Sequence, residues 1–532
     1  MFQKKYELTV DKIFYSSVRN NPDQVICYKD RRITYREFRD NVYALARGLL
    51  KAGLQKGEKV AVLEWDDLNY LMLYYAIPLA GGVLHTVNIR YSPELIFYTM
   101  QHAGDRIVII RDEFVPLISP SIGLFQGVRT WIVSGDSDKP SANIDGALFL
   151  GNLFEKSEEI RLPEITEDDL CTIFYTSGTT GMPKGVTFTH RQIILHTLGM
   201  AVALADEPIN LKSTDVIMPI VPMFHVHSWG VPYMAIMKGM KYVLPGRYDF
   251  DSLPSLMEKE KVTVSMMVPS ILYMLMAKQE NQEILKKLNL RVTIGGGALP
   301  KGLAEKARSL GIEVGAGYGM SETAPILTLG LYTTEVMSMP DSQKENFRIK
   351  TGIPIPLVDL RVVDKNGKEV ANDSKSIGEV VVRAPWLTSE YFNDPENTKK
   401  LWKNDWLNTG DLAVVDDHGY INIVDREKDA VKSGGEFIPT LILEDVISTY
   451  PGVAEVAVVA RRDEKWGERP VAFISGLKEL NKEALREHLM NYVQSGRISK
   501  FWIPDDFFQI ESFNKTSTGK IDKRSLRARL SS

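Results

Sequence analysis

Apolar and polar positions change period along the chain often enough to mark its elements. Thr34-Tyr-Arg-Glu37 is a capping box, and Phe38, Val42, Leu45 and Leu49 follow it on one helical face. Lys59–Leu63 reads as a strand, Asn69–Leu79 as a mostly buried helix, and Arg106–Ile110 as a further strand. Alternation of this kind predicts a doubly wound, mainly parallel sheet. The pattern resumes with predicted strands at Leu170–Tyr175, Lys261–Val268, Arg291–Ile294 and Ile312–Val314. Three of them run into turns: Pro269-Ser270, Gly295-Gly-Gly-Ala298 and Gly315-Ala-Gly-Tyr-Gly-Met-Ser-Glu-Thr323. In open α/β sheets ligands bind beyond the carboxyl ends of strands, so these turns are expected to line one crevice.

From about Lys350 the strands shorten: Val358–Val363, Gly378–Arg383, Leu412–Val415 and Tyr420–Val424, the last two flanking the hairpin-like turn Asp416-Asp-His-Gly419. After Asp425 comes the charged run Arg426-Glu-Lys-Asp429, then a flexible turn at Ser433-Gly-Gly435. A final block holds a Leu441–Tyr450 helix, a Val453–Ala460 strand, a Lys482–Gln494 helix and a basic tail. The expected fold class is α/β. A large N-terminal domain of doubly wound sheets, with a small β-barrel-like subdomain, covers 1–425. A hinge follows at 426–429, and a small mobile α+β domain at 430–532. A chain of 532 residues exceeds one core, in keeping with that division.

Composition narrows the partners. Hydrophobic content of 44% and charged content of 25% describe an ordinary globular protein. A net charge of -4 supplies no basic field, which argues against nucleic acid. Cys27 and Cys171 make neither a disulfide framework nor a metal-ligand spacing, so a reducing, cytoplasmic setting is the simplest. Met1-Phe-Gln-Lys-Lys-Tyr-Glu lacks the apolar core of a signal peptide. The stretches around Tyr70–Val87 and Val216–Met237 are broken by Pro, Gly and His before spanning length. No transmembrane segment is expected; peripheral membrane contact stays open.

Chemistry concentrates first in Tyr175-Thr-Ser-Gly-Thr-Thr-Gly-Met-Pro-Lys-Gly-Val186. Glycines let backbone N–H groups approach a ligand and form an anion-binding nest, while the hydroxyls and Lys184 add donors for phosphate oxygens. A Walker loop is excluded, because Gly178 and Gly181 precede Pro183-Lys184-Gly185 and Val186-Thr-Phe-Thr189 alternates like a strand. The loop therefore reads as a mobile phosphate flap. Ser321 and Glu322 at the end of a phosphate-facing turn suit Mg2+, which takes one or two carboxylates plus substrate phosphates. Tyr318 offers a flat face for a base. His225 and His227 lack the cysteine or carboxylate partners of a metal site, and His227 defaults to a satisfied core histidine.

These strings resemble the adenylate-forming superfamily of acyl-CoA synthetases, amino-acid adenylation domains and beetle luciferases, over nearly the whole chain. The resemblance implies that Thr176, Ser177, Gly178, Thr179, Thr180, Gly181 and Lys184 clamp the β- and γ-phosphates of ATP. It places adenine against Tyr318, among Gly297, Ala298, Gly317, Gly319 and Thr323. Ser321 would touch phosphate, and Glu322, with Ser177, would hold Mg2+. Asp411 in Trp406-Leu-Asn-Thr-Gly-Asp-Leu412 would accept the ribose hydroxyls with Arg426 beside it, although locally such an Asp also reads as a turn cap. Lys428 falls on the hinge. Lys520 in Asn514-Lys-Thr-Ser-Thr-Gly-Lys-Ile-Asp-Lys-Arg524 would bridge the two reacting anions. Gly434, Gly435 and Glu436 match the face used for transfer to CoA. His225 sits beside the activated carboxylate where amino-acid-activating members carry aspartate. Phe224, His225 and Trp229, followed by Gly230, most resemble prokaryotic medium- and long-chain fatty acyl-CoA synthetases.

Two positions depart from the family pattern: Asn514 replaces a usual proline, and Ile442 replaces the first acid after Pro439, where a helix cap is at issue. The implied function is ATP-dependent ligation of a fatty acid to CoA through an acyl-adenylate. The alternatives are an aryl, short branched or thioether acid, and a catalytically silent paralogue. Retention of Lys184, Glu322, Asp411, Arg426 and Lys520 speaks against the last. A homodimer follows by analogy alone.

Overall fold

A computed structural model describes residues 5–137, 140–176, 182–434, 436–517 and 519–531. At its centre lies the Leu68–Leu79 helix, in which every residue but Asn69 is buried. A helix apolar on all sides has no solvent face, so it is packed from both sides. Asp67 starts it, accepting from the Tyr70 N–H at 2.9 Å.

Two sheets enclose this layer. A seven-stranded sheet runs in the order Leu148–Phe149, Thr130–Ser134, Ile107–Arg111, Lys59–Leu63, Val83–Thr86, Leu170–Tyr175 and Gly185–Thr189. All its pairings are parallel except the last, the hairpin that carries the Thr/Gly loop. A nine-stranded sheet holds Glu313–Gly319, Arg291–Ile294, Val264–Met267, Val216–Ile217, Lys241–Leu244 and Val25–Tyr28 in parallel register, with antiparallel strands at both edges. Near-continuous apolar strands are what a sheet covered on both faces requires. The capping box at Thr34 forms as expected, and Phe38, Val42, Leu45 and Leu49 are buried. Both cysteines are buried and free.

The subdomain is a five-stranded antiparallel sheet of Asp359–Val363, Gly378–Arg383, Trp402–Lys403, Trp406–Val415 and Ile421–Arg426. Beyond it, a sheet of Val431–Ser433, Glu436–Ile438, Glu455–Asp463, Gly467–Ser475 and Asp506–Gln509 is covered on one face by the Thr440–Ser448 and Lys482–Gln494 helices. Among the described residues no helix is long and apolar enough to cross a membrane.

Three expectations need correction. The strand expected at 261–268 is only Val264–Met267, because Lys261 sits at φ 58° as the left-handed cap of the helix before it. Gly315–Gly319 is not a turn: the strand runs through Gly319, and Gly317–Gly319 pairs antiparallel with Ile326–Leu329. Glycines are tolerated here because a Cβ at Gly319 would collide with the Pro325 carbonyl. The basic tail is a helix, Lys523–Ser531, anchored by buried Leu526 and by Lys523, whose ammonium meets Glu444 at 2.6 Å.

Candidate active site

Sheet register builds the first half of the site. Asp411 lies inside the Trp406–Val415 strand rather than at its entry, directly opposite Arg426 in the antiparallel ladder. Directly opposed side chains of this kind meet. Arg426 Nε lies 3.1 Å from Asp411 Oδ1, and the Tyr318 hydroxyl donates to Oδ2 at 2.7 Å. Asp411 is buried, yet each carboxylate oxygen keeps lone-pair capacity for a further donor. Tyr318 is thus held by its hydroxyl, leaving the ring as a wall of the crevice beside Gly317 and Gly319. Gly297 and Ala298 are exposed along the same crevice.

Glu322 stands in a short turn, Ser321–Thr323, and is buried. The hydroxyl of Thr323 accepts from the Met320 N–H at 3.1 Å and donates to the Pro325 carbonyl, so it fixes the turn. Glu322 Oε1 accepts from the Tyr391 hydroxyl at 2.5 Å. Burial, then the Glu322 charge, push the Tyr391 phenol far above its ordinary value, so it remains a donor. The ring of Tyr391 also carries the Lys184 ammonium, 4.7 Å from its centroid. No motif announced Tyr391; it is brought in by the pairing of Val186 with Tyr391. At the loop's base, the Thr176 N–H donates to the Lys184 carbonyl at 2.9 Å. Ser177, Gly178, Thr179, Thr180 and Gly181 lie outside the described residues, as does Gly435.

No group of three or more His, Cys, Asp or Glu gathers as a metal cluster among the described residues. Glu322, a buried carboxylate lining the crevice, fits a hard cation that takes its other ligands from phosphate and water.

The wall of the crevice around residues 226–230 is shaped by strain. Val226, His227, Ser228 and Trp229 all have positive φ, 46° to 56°, so the chain makes a left-handed turn ending at Gly230 with φ 82°. Left-handed backbone costs about 1–2 kcal/mol per residue, so surrounding contacts must hold it. The Ser228 hydroxyl donates to the Val221 carbonyl at 2.7 Å. His227 Nε2 lies 2.8 Å from the Thr172 hydroxyl, which itself donates to the Leu84 carbonyl at 2.9 Å. Nε2 of His227 therefore carries the proton, and this histidine is the structural one the sequence implied. The turn lays Trp229 against glycines: a Cβ at Gly295 would stand 3.1 Å from its indole. At Gly230 a Cβ would stand 2.9 Å from His196. His225, half-buried, precedes the turn; burial, then Lys520 and Arg90, hold its imidazole down to about 3, so it is neutral near pH 7.

Lys520 comes from the small domain and enters the same crevice. A Cβ on Gly296 would stand 3.5 Å from Lys520 Cε. Burial lowers its ammonium to about 8, with Arg426 adding to the effect and Asp411 and Glu322 opposing it. Lys520 keeps some surface open, and that surface faces the crevice. The domains also meet where Asp445 Oδ1 accepts from the Lys301 N–H at 2.9 Å, capping a helix that begins after Pro300. Asp425 does the same for the helix after Pro439, accepting from the Thr440 N–H at 2.8 Å, so the exchange at Ile442 leaves that end capped. Arg426 ends its strand, and exposed Lys428 lies in the turn that follows. Gly434 turns at φ 60°, and Glu436 opens the next strand.

A half-buried cation, a carboxylate–arginine pair and a buried carboxylate now share one crevice with the apolar wall of Val226 and Trp229. Family models match the chain as an AMP-binding enzyme over residues 14–392 and as an AMP-binding enzyme C-terminal domain over 443–520. The chain belongs to the AMP-binding enzyme family. It is 38% identical over 499 residues to a long-chain-fatty-acid–CoA ligase of Thermus thermophilus, covering 93% of this chain and 90% of that protein. A 3-methylmercaptopropionyl-CoA ligase of Ruegeria pomeroyi is 33% identical, over 92% of this chain and 90% of that protein. The crystal structure of an anthranilate CoA ligase in complex with anthranoyl-AMP superposes with a TM-score of 0.84 at 22% identity, covering 99% of this chain and 98% of that one. The fold is that of adenylate-forming enzymes, and the chain is an AMP-forming acid–thiol ligase.

The strained turn makes one prediction. Thr172→Val keeps shape but leaves the His227 N–H without its acceptor, which should destabilise the fold by about 1–3 kcal/mol. Thermal unfolding should show a lowered midpoint; an unchanged midpoint would remove His227 as the anchor of the turn.

Proposed function

We propose that this enzyme ligates a medium- or long-chain fatty acid to coenzyme A, using ATP and releasing AMP and pyrophosphate. The observation that carries the reading is the acyl end of the crevice. Its entrance is neutral His225, and Val226, Trp229 and Val268 wall the space beside it. A neutral imidazole there gives an amino-acid ammonium no countercharge, while apolar walls suit a hydrocarbon. The likeness to the Thermus thermophilus fatty-acid ligase supports the same reading. The likeness to the Ruegeria pomeroyi enzyme keeps a thioether acid as the competing substrate.

The chemistry follows from the charges. A carboxylate oxygen attacks the α-phosphorus of ATP, the bond to the β-phosphate oxygen breaks, and pyrophosphate leaves. Two anions must approach, and the Lys520 ammonium, whose charge is felt by both Asp411 and His225, offsets their repulsion. Asp411 accepts the ribose hydroxyls, with Arg426 fixing its orientation. Glu322, positioned by Tyr391, would hold Mg2+, which would supply charge neutralisation on the phosphates. Thr176 and Lys184, at the base of the Thr/Gly loop, would contact the β- and γ-phosphates. In the second step the CoA thiol loses its proton and attacks the acyl carbon, and AMP leaves. The small domain turns about 426–429, with Lys428 as pivot, to bring Gly434, Gly435 and Glu436 toward the thiol. No enzyme nucleophile is required, because the adenylate is already activated.

A panel of acids from acetate to palmitate, with 3-methylthiopropionate and benzoate added, tests the substrate through AMP formation with CoA and MgATP. The highest kcat/KM should fall among acids of roughly eight carbons or more; a maximum at the thioether or aryl acid overturns the fatty-acid reading. A pH profile tests Lys520. Its ammonium is present below about 8 and lost above it, so kcat/KM for adenylation should fall as pH rises through about 8. Transfer from supplied acyl-adenylate should lack that limb; an adenylation rate flat to pH 9.5 would contradict the assignment.

A further inference from the structure

Lys520 reaches the crevice on a loop that crosses from the small domain to the large one. The loop is closed on itself: the Thr516 N–H donates to the Lys520 carbonyl at 2.7 Å, and the Gly519 N–H to the Thr516 carbonyl at 2.9 Å. Three side chains of the large domain then hold it from outside. Asn88 Nδ2 donates to Ser517 Oγ at 3.0 Å, and Arg90 Nη1 donates to the Ser517 carbonyl at 3.0 Å. The Ser270 hydroxyl donates to the Gly519 carbonyl at 2.9 Å.

The two contacts on Ser517 arise from one rigid place. Asn88 is buried, and its Oδ1 accepts from the Arg90 N–H at 3.0 Å, just after the Val83–Thr86 strand. The Arg90 guanidinium lies 5.7 Å and 5.8 Å from the ring centroids of Phe224 and Tyr248, so its direction is set by aromatic neighbours. Tyr248 is tied through its hydroxyl to Asp66, which also accepts from the Met223 N–H at 2.8 Å. The same network thus fixes the backbone leading to His225 and the arms that grip the lysine loop. Asn88 and Arg90 are not among the residues lining the crevice, so they act through Lys520.

We propose that Asn88 and Arg90 form a latch that positions Lys520 for adenylate formation and lets it go for transfer to the thiol. The proposal rests on the reading of Lys520 as the bridging cation. Burial most of all, then Arg426 and Lys428, disfavour the charge on Lys520, while Asp411 and Glu322 favour it. The latch adds a hold on the loop that does not depend on that balance of charges. A neutral hydrogen bond to a serine hydroxyl and one charged bond to a carbonyl are individually modest, because each is exchanged for water on opening. Such bonds can open at every turnover, whereas a buried ion pair would hold one state too firmly. While phosphates fill the crevice they also attract Lys520. Once pyrophosphate has gone that attraction weakens, and the latch, with the Ser270 bond to the Gly519 carbonyl, sets how fast the loop leaves.

The test is a double-mutant cycle of Asn88→Ala and Ser517→Ala, read separately in the two half-reactions. Each single variant should slow acid-dependent pyrophosphate release by about three- to tenfold, the scale of one lost hydrogen bond. The double variant should be no slower than the worse single one. Thiol transfer from supplied acyl-adenylate should be unchanged or faster, since the loop leaves more readily. Equal slowing of both half-reactions would mark a general loss of structure, and additive effects would mark independent sites; either overturns the latch. Lys520→Ala is measured alongside. If it leaves pyrophosphate release intact, the bridging-cation reading fails; if it slows release while the cycle shows no effect, only the latch fails.

Discussion

The site depends on one unfavourable fact, an ammonium group taken out of water beside two other cations. Burial and Arg426 bring Lys520 down to about 8, and Lys428 adds to the strain. In a low-dielectric crevice a positive charge only partly offset by Asp411 and Glu322 is costly, and that cost makes the crevice receptive to anions. Phosphate and carboxylate groups relieve it on arrival. Electrostatic preparation of this sort acts without reorganisation at the moment of reaction, which is where catalytic stabilisation is usually largest. The rest of the architecture can be understood as keeping that charge in place and then removing it.

Keeping it in place falls to separate structures. Antiparallel register sets Arg426 opposite Asp411, so the neighbouring charges are positioned by the ladder itself. On the acyl side, four residues in left-handed backbone press Trp229 onto a pair of glycines, and a buried histidine and serine hold them there. Strain held beside the crevice by buried contacts points to a wall whose shape matters to function. Tyr391 joins the buried Glu322 carboxylate to the Lys184 ammonium, through its hydroxyl on one side and its ring on the other.

Much of this was legible in the chain, for stated physical reasons. The capping box at Thr34, the Lys59–Leu63 strand and the Lys482–Gln494 helix appear where periodicity put them, because local preference and burial agree there. Where they conflict, the reading slipped. Gly315–Gly319 looked like a turn from its glycines, yet those glycines serve a strand whose neighbours come too close for a Cβ. The last helix was hidden because its burial rests on Leu526 and its ion pairs on acids remote in sequence. At the site, motif residues such as Asp411, Glu322 and Lys520 converge. The residues that steady them do not advertise themselves: Asn88 and Ser517 are 429 positions apart, and Tyr391 is joined to the loop only by strand pairing. Long-range partners of that kind leave no local pattern.

The most direct measurement is a crystal structure with a non-reactive acyl-adenylate analogue carrying a sulfamoyl group in place of the phosphate. The account predicts the ribose hydroxyls on Asp411, adenine against Tyr318, the acyl chain past His225 along Trp229, and the Lys520 ammonium within hydrogen-bond distance of the sulfamoyl oxygens. Clear density for the analogue, with Lys520 making no contact to it while the Ser517 contacts persist, would contradict the central claim.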